Sequence, residues 1–326
     1  MSTKEIQLKK TVPALNKHKV KEKATGLVVS IFRYVLLIAI SYIILYPLFA
    51  LISFSIQSKA DILDSSVTWI PRAPTFETYK VAWEYLDYGN SFLNTILIGM
   101  VSAALEIFSC AVAAYGFARF KFKGRGLLFG LVLLTAIVPV QILVIPQFLN
   151  YRYFNLGYLI DLINLIPGVN IPFLDLSDSP FTFWLPSLFG VGLRSGLFIF
   201  IYRQFFMGLP KELEEASWID GCNPLLTFVR VVIPSSGVVF LTVSIFAIIW
   251  HWNEYYQSVI YFSETFPLSV MLAGVRDSLW HTGVLDKYLA PYVSAACLMF
   301  IAPVLILYLF LQKKFIQSID RVGIVG

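Results

Sequence analysis

The residues best placed for chemistry lie in one polar stretch of an otherwise apolar chain, Leu209-Pro-Lys-Glu-Leu-Glu-Glu-Ala-Ser-Trp-Ile-Asp-Gly221. Proline near its start and glycine just past its end punctuate a short helix. Asn223-Pro224 repeats the start signal, a capping residue followed by proline, and the run Leu225 to Val232 is expected to stop before Pro234. The sequence thus predicts two short helices joined by a sharp turn at Asp220-Gly221, where glycine permits a positive φ at low cost. Ala216 and Ser217 are small enough for a second surface to approach closely. Glu214 and Glu215 are expected to be exposed acids that meet basic groups on a partner. This is the chemistry of docking rather than of bond making.

Catalytic chemistry finds no comparable constellation. His18, His251 and His281 lie in unrelated segments. Cys110, Cys222 and Cys297 form neither a CxxC pair nor a metal-ligand spacing, and read as small apolar fillers. No G-x-x-x-x-G-K-[ST] phosphate loop occurs, and Gly124-Arg125-Gly126 is only a basic turn. We therefore expect no catalytic residue, no bound cofactor and no metal. The net charge of +5 is not a nucleic-acid signal, because the basic residues flank apolar runs.

The elements that must position the polar stretch follow from composition. The chain is 58% hydrophobic and 14% charged, against about 45–50% and about 25% in soluble domains. The surplus has to face lipid, and a stretch of about 20 apolar residues spans a bilayer as a helix. The expected fold is an all-α polytopic membrane protein with about six spans. These run Leu27 to Ile56, about Phe92 to Phe117, about Leu127 to Leu149, a fourth ending near Phe206, about Ser235 to Tyr256, and Leu289 to Leu311. Pro47, Pro139, Pro146, Pro186 and Pro303 interrupt the runs, which favours a packed, kinked bundle.

Segments 1–28, 118–126, 203–230 and 313–326 hold 17 Lys plus Arg among 79 residues, whereas 57–90, 150–181 and 261–288 hold six among 94. By the positive-inside rule the first set, with both termini, is cytoplasmic. The chain divides into a basic tail (1–28), one membrane domain (29–312, core about 88–312, polar loop 209–234) and a C-terminal tail (313–326).

Glu215-Ala216-Ser217, Asp220-Gly221-Cys222, Phe228 and Ile233-Pro234 together resemble the EAA loop of ABC importer permeases, with Ser217 and Cys222 in place of alanines. Ser91-Phe-Leu-Asn-Thr-Ile-Leu97, Tyr115-Gly-Phe-Ala-Arg-Phe120, Phe198 to Phe206, Trp252-Asn253-Glu254 and Pro303 to Phe315 are similar to stretches of carbohydrate-importer permeases. The similarity covers most of residues 70–320 and points to a maltose-permease-like second membrane subunit. The resemblance implies a heterodimer with a second homologous permease, two cytoplasmic ATPase subunits that bind the ATP and magnesium, an extracytoplasmic solute-binding protein, and a carbohydrate substrate. It also implies that the short helix docks in a groove of the ATPase and that the spans alternate between inward- and outward-facing states. The tail from Phe315 to Gly326 has the length of the family's ATPase-touching tail, but it ends in a different sequence.

Three further groups have two readings each. Arg194 lies 12 residues before Phe206, about 18 Å along a helix, and a charge in lipid usually faces a cavity or a partner. Either the fourth span starts late, near Leu193, and Arg194 reaches headgroups or an acid on the partner permease, or Arg194 lines the path and helps hold an acidic saccharide. Trp250 to Tyr256 is either an interfacial aromatic belt or a sugar-facing cluster, in which Trp252 stacks on the ring and Asn253 and Glu254 bind hydroxyls. The acidic outer segment Tyr151 to Phe181 reads as a solvated loop or as a contact with the binding protein. Competing functions are an ABC permease for a non-sugar solute and an ion-driven secondary transporter. The second would show an internal repeat, and none is evident.

Overall fold

The computed structural model describes residues 17–155, 159–166, 169–281 and 286–323. Residues 1–16 of the expected basic tail and the C-terminal 324–326 lie outside the described residues. Within them the chain is helical, with one isolated β-bridge between Phe154 and Leu174. The helices used below are α1 (Lys17–Ser55), α2 (Tyr88–Arg119), α3 (Arg125–Ile137), α4 (Val140–Arg152), α5 (Phe181–Leu188), α6 (Ser195–Gly208), α7 (Glu212–Ile219), α8 (Pro224–Ser235), α9 (Gly237–Trp252), α10 (Leu268–His281) and α11 (Asp286–Gly323).

Only α1, α2 and α11 contain single apolar stretches long enough to cross a bilayer; counting each of two sharply bent helix pairs as one span raises this to five among the described residues. Of the six expected spans, the first, second and sixth correspond to the unbroken helices α1, α2 and α11. The third expected span breaks into α3 and α4, which meet at 101°. The break falls at Val138-Pro139: proline pushes the residue before it into extended backbone, and Val138 is there at φ −64, ψ 124. The fourth falls into α5 and the 14-residue α6, separated by a turn with Gly190 at φ +67 and Arg194 at φ +63. Before the fifth, α8 and α9 meet at 83°. The helix expected to stop before Pro234 instead continues to Ser235. It loosens into a π segment, Phe228–Val232, just ahead of the proline, which accommodates a residue that cannot donate a backbone hydrogen bond.

The core is built around α2. Its small residues Ala103, Cys110, Ala111 and Ala114 are buried and let neighbouring helices approach closely. Phe198, Tyr202 and Phe206, spaced four apart on one face of α6, pack into the same cluster with Val239, Val243 and Ala247 of α9. α1 touches the rest of the chain mainly along α11, and its most apolar window is not buried within this chain, so it stands at the periphery.

The crossing of α6 over α3 depends on Gly196. A Cβ there would lie 2.6 Å from both Thr135 Oγ1 and the Val132 carbonyl oxygen. Gly196→Ala is expected to cut the yield of monodisperse protein in detergent. Gly130→Ala on α3, where a Cβ meets nothing within 4 Å, is expected to leave it unchanged.

Candidate functional site

The helix pair α7–α8 forms as the sequence predicts, with Gly221 at φ +83 in the turn and the Asn223 side chain accepting the Leu226 N–H at 2.8 Å to cap α8. The pair has two faces. Glu215, Ala216, Ile219 and Asp220 are exposed on the outward face of α7, and Leu225 is exposed at the start of α8. Ile219 is 87% exposed, a large apolar side chain left uncovered among acids. Ser217 and Phe228 point inward. The Ser217 and Thr227 hydroxyls lie 2.6 Å apart and tie the helices together, and the Phe228 ring packs 5.0 Å from Tyr115 and 6.3 Å from Phe206. Pro234 is exposed at the far end of α8.

Glu214 corrects the expectation of two exposed acids. It is buried: its Oε1 is 2.6 Å from Arg119 Nε, and Tyr115 donates its hydroxyl to Oε2 at 3.2 Å. Glu214 and Ser217 lie three apart and share the inward face, while Glu215 falls on the outward one.

A cavity of about 300 Å³ opens among α3, α4, α5 and the start of α6. Thr135, Gln147, Thr182, Ser187, Arg194, Ser195 and Gln257 supply its polar lining. Arg194 occupies the N-cap position of α6, so that helix begins where the late-start reading put it. The side chain is also part of the cavity wall, with its guanidinium 5.8 Å from the Trp250 ring centre.

Behind this wall lies a residue that the sequence reading missed. Glu106 is fully buried in the middle of α2. Its Oε2 is 2.7 Å from His251 Nε2 of α9, and its Oε1 accepts the Ser195 hydroxyl at the first residue of α6. A Cβ on Gly192 would lie 3.2 Å from that same Oε1 and 2.8 Å from Ser187 Oγ, so only glycine lets the turn close over the carboxylate. Ser187 Oγ and His251 Nδ1 are two of the buried side-chain atoms without a hydrogen-bond partner among the described residues; Arg119 Nε and Glu214 Oε1, which meet as an ion pair, are two others. The available signal was the lone acid within the apolar run Phe92 to Phe117, since a carboxylate at membrane depth needs a partner.

The aromatic cluster divides. Trp252 is 3% exposed, donates its indole N–H to the Phe300 carbonyl at 3.1 Å, and packs against Phe92 and Phe300. No ring face is open for a sugar, so the stacking expectation is corrected: this indole is core. Asn253 is exposed and donates to the Ile249 carbonyl at 2.7 Å. Glu254 accepts the Gln257 N–H at 2.8 Å, and the Arg194 guanidinium is near enough to act on its carboxylate.

The described part of the outer segment is anchored. Asp178, at φ +56, accepts the backbone N–H groups of Ser263, Glu264 and Thr265 at 3.1–3.2 Å and the Ser263 hydroxyl at 3.1 Å. Partial burial pushes this carboxyl's pKa up, but the donors outweigh it and hold the group below the ordinary aspartate value.

The family described as "Binding-protein-dependent transport system inner membrane component" matches residues 95–321, more than half of the chain. The arabinooligosaccharides transport system permease protein AraQ of Bacillus subtilis is 26% identical over 88% of this chain and 92% of its own length. The sulfoquinovosyl glycerol transport system permease protein SmoH of Agrobacterium fabrum is 26% identical over 86% and 89%. The diacetylchitobiose uptake system permease protein NgcG of Streptomyces coelicolor is 28% identical over 88% and 86%. Among solved structures, a chain of a bacterial ABC transporter involved in the import of the acidic polysaccharide alginate superposes with a TM-score of 0.69 at 24% identity. It covers 89% of this chain and 98% of its own, a likeness of fold.

Removing the Glu106 carboxylate takes the hydrogen-bond partner from the buried Ser195 hydroxyl and from His251 Nε2, at about 1–3 kcal/mol for each orphaned group. Glu106→Ala is therefore expected to lower the thermal midpoint of the detergent-solubilised protein. Glu106→Gln, which keeps the side-chain length and an acceptor oxygen, is expected to lower it less.

Proposed function

The chain belongs to the binding-protein-dependent transport system inner membrane component family, and from that premise we propose how it works within a sugar-importing ABC transporter. It is a carbohydrate ABC importer permease, not an enzyme. It forms one half of a translocation pathway with a second, homologous permease in the bacterial inner membrane. Two cytoplasmic ATPase subunits bind and hydrolyse ATP with magnesium, and an extracytoplasmic binding protein delivers the sugar. The basic segments and both termini face the cytoplasm.

The observation that carries this reading is the two-faced pair α7–α8. Its outward face presents Glu215, Ala216 and the uncovered Ile219 on a compact helix. A small residue flanked by an apolar anchor and an acid suits insertion into a groove with basic groups on its rim. Its inward face packs onto the core through Phe228 and Glu214, while the Ser217–Thr227 contact holds the two helices to each other. ATP-driven closure of the two ATPases draws the docked helices together and biases the bundle between two states.

The cavity beside α6 is this subunit's share of the pathway. Arg194 supplies a guanidinium, whose fork matches carboxylate, sulfonate or phosphate groups. Asn253 and Glu254 lie outside the cavity lining and are a separate proposed site for sugar hydroxyls. The relatives' names span arabinooligosaccharides, sulfoquinovosyl glycerol, diacetylchitobiose and sn-glycerol-3-phosphate, so the relatives alone do not choose the solute. Arg194 favours an acidic saccharide.

Tagged chain extracted in mild detergent is expected to bring down a second permease and an ATPase with a Walker-type phosphate loop. Glu215→Lys or Gly221→Pro is expected to release the ATPase while the permeases stay paired. Purification of the unaltered chain alone would overturn the assignment in favour of an ion-driven transporter. In uptake assays, Arg194→Ala is expected to lower import of acidic saccharides more than of neutral ones. An unchanged ratio removes Arg194 from substrate selection.

A further inference from the structure

Glu214 sits beside the docking residues in sequence but faces away from them, and its contacts give it a different task. Tyr115 and Arg119 are four apart in α2 and therefore lie one above the other on the same face. The Glu214 carboxylate spans that turn, with one oxygen 2.6 Å from Arg119 Nε and the other accepting the Tyr115 hydroxyl at 3.2 Å. Both partners of the ion pair are withdrawn from water, at 9% and 6% side-chain exposure, so solvent and salt screen it little. Arg119 also donates to the Leu209 carbonyl at 2.9 Å, just past the end of α6, and so holds both the approach to α7 and α7 itself.

We propose that the Arg119–Glu214 ion pair, steadied by Tyr115, is the joint that passes movement of the docking helix α7 to the core helix α2. The inference rests on the docking reading given above. A displaced ion pair in a dry site resists sliding, because any shift leaves uncompensated charge behind. The neighbouring apolar contact of Phe228 on Tyr115 is non-directional and can slip. α2 runs without a break from this joint to Glu106, 13 residues upstream and about 20 Å along the helix. There Glu106 holds Ser195 and His251 behind the cavity wall. One helix is thus gripped by polar contacts at its C-terminal end, on the proposed ATPase side, and at its middle, behind the cavity wall. Arg119 and Glu214 are positioning residues and touch neither ATP nor solute.

The test separates coupling from folding. Arg119→Leu with Glu214→Leu removes the joint without orphaning a buried charge, a replacement that buried pairs often tolerate. Arg119→Gln with Glu214→Gln keeps an acceptor for the Tyr115 hydroxyl and removes both charges together, so it serves if the leucine double variant fails to assemble. Each is prepared as the full complex in liposomes, with Val191→Cys as a reporter on the cavity wall and Cys222→Ser to lower background. The probe is ATP with vanadate, and the readout is the maleimide labelling rate at position 191, beside ATPase retention and ATP hydrolysis. The expected result is that the variants retain the ATPase and hydrolyse ATP while the nucleotide-dependent change in labelling is lost. A response equal to that of the unaltered joint overturns the proposal. Loss of the ATPase in the variants also overturns it, because the pair would then only hold the docking face together. Absence of any nucleotide response with the joint intact overturns the docking reading, and this inference with it.

Discussion

A carboxylate cannot sit alone in the dry interior of a helical bundle, and Glu106 makes that constraint the centre of this molecule. Its two oxygens are shared between Ser195, at the first turn of α6, and His251, at the last turn of α9. Three helices distant in sequence must therefore meet at one depth. The small residues of α2 below it, Cys110, Ala111 and Ala114, let α6 and α9 come close enough for those contacts to form. The glycine at 192 does the same for the turn that closes over the carboxylate. Arg194 and Trp250 flank the two partners in sequence, so the wall of the cavity inherits its position from the same buried group.

The second constraint is the backbone. In a low-dielectric environment every N–H and C=O has to find a partner, and interruptions are tolerated only where neighbouring chain covers them. The breaks at Val138-Pro139, at Gly190 to Arg194 and at Ser236 sit where helices turn against the core. The consequence is functional as well as architectural. A straight helix through residues 181–206 would leave no room beside α6, whereas its division there creates both the cavity and the exposed N-cap position of Arg194. The bend between α8 and α9 likewise turns the docking pair away from the direction of the span that follows.

The docking pair shows how one short helix serves two surfaces. Residues three and four apart share a face of a helix, so adjacent acids necessarily diverge. Glu215 is left exposed and Glu214 is turned into the core, where it meets Arg119. On the proposed docking reading, a partner pulling on Glu215 and Ala216 pulls on a helix already joined to α2.

Much of this was legible in the residues alone. An apolar excess large enough to demand lipid determined the helical membrane class. Proline, glycine and capping signals determined the α7–α8 pair and its turn at Gly221, because those signals act over a few neighbouring residues. The spacing of Glu215, Ala216, Asp220, Gly221 and Pro234 carried the family, because docking chemistry there is local to one loop. What depended on contacts between distant segments had to wait for the tertiary structure. Hydropathy adds up along a run and does not register a 101° bend inside it, so the prolines announced kinks but not their size. Trp252 carried the same local signal whether it faced a sugar or Phe300, and only packing decided for the core. Glu106 was readable as an anomaly, but its partner His251 lies 145 residues away. The burial of Glu214 beside Arg119, 95 residues upstream, was equally invisible. Charge partners inside a bundle are chosen by which helices adjoin, and adjacency is a property of the fold.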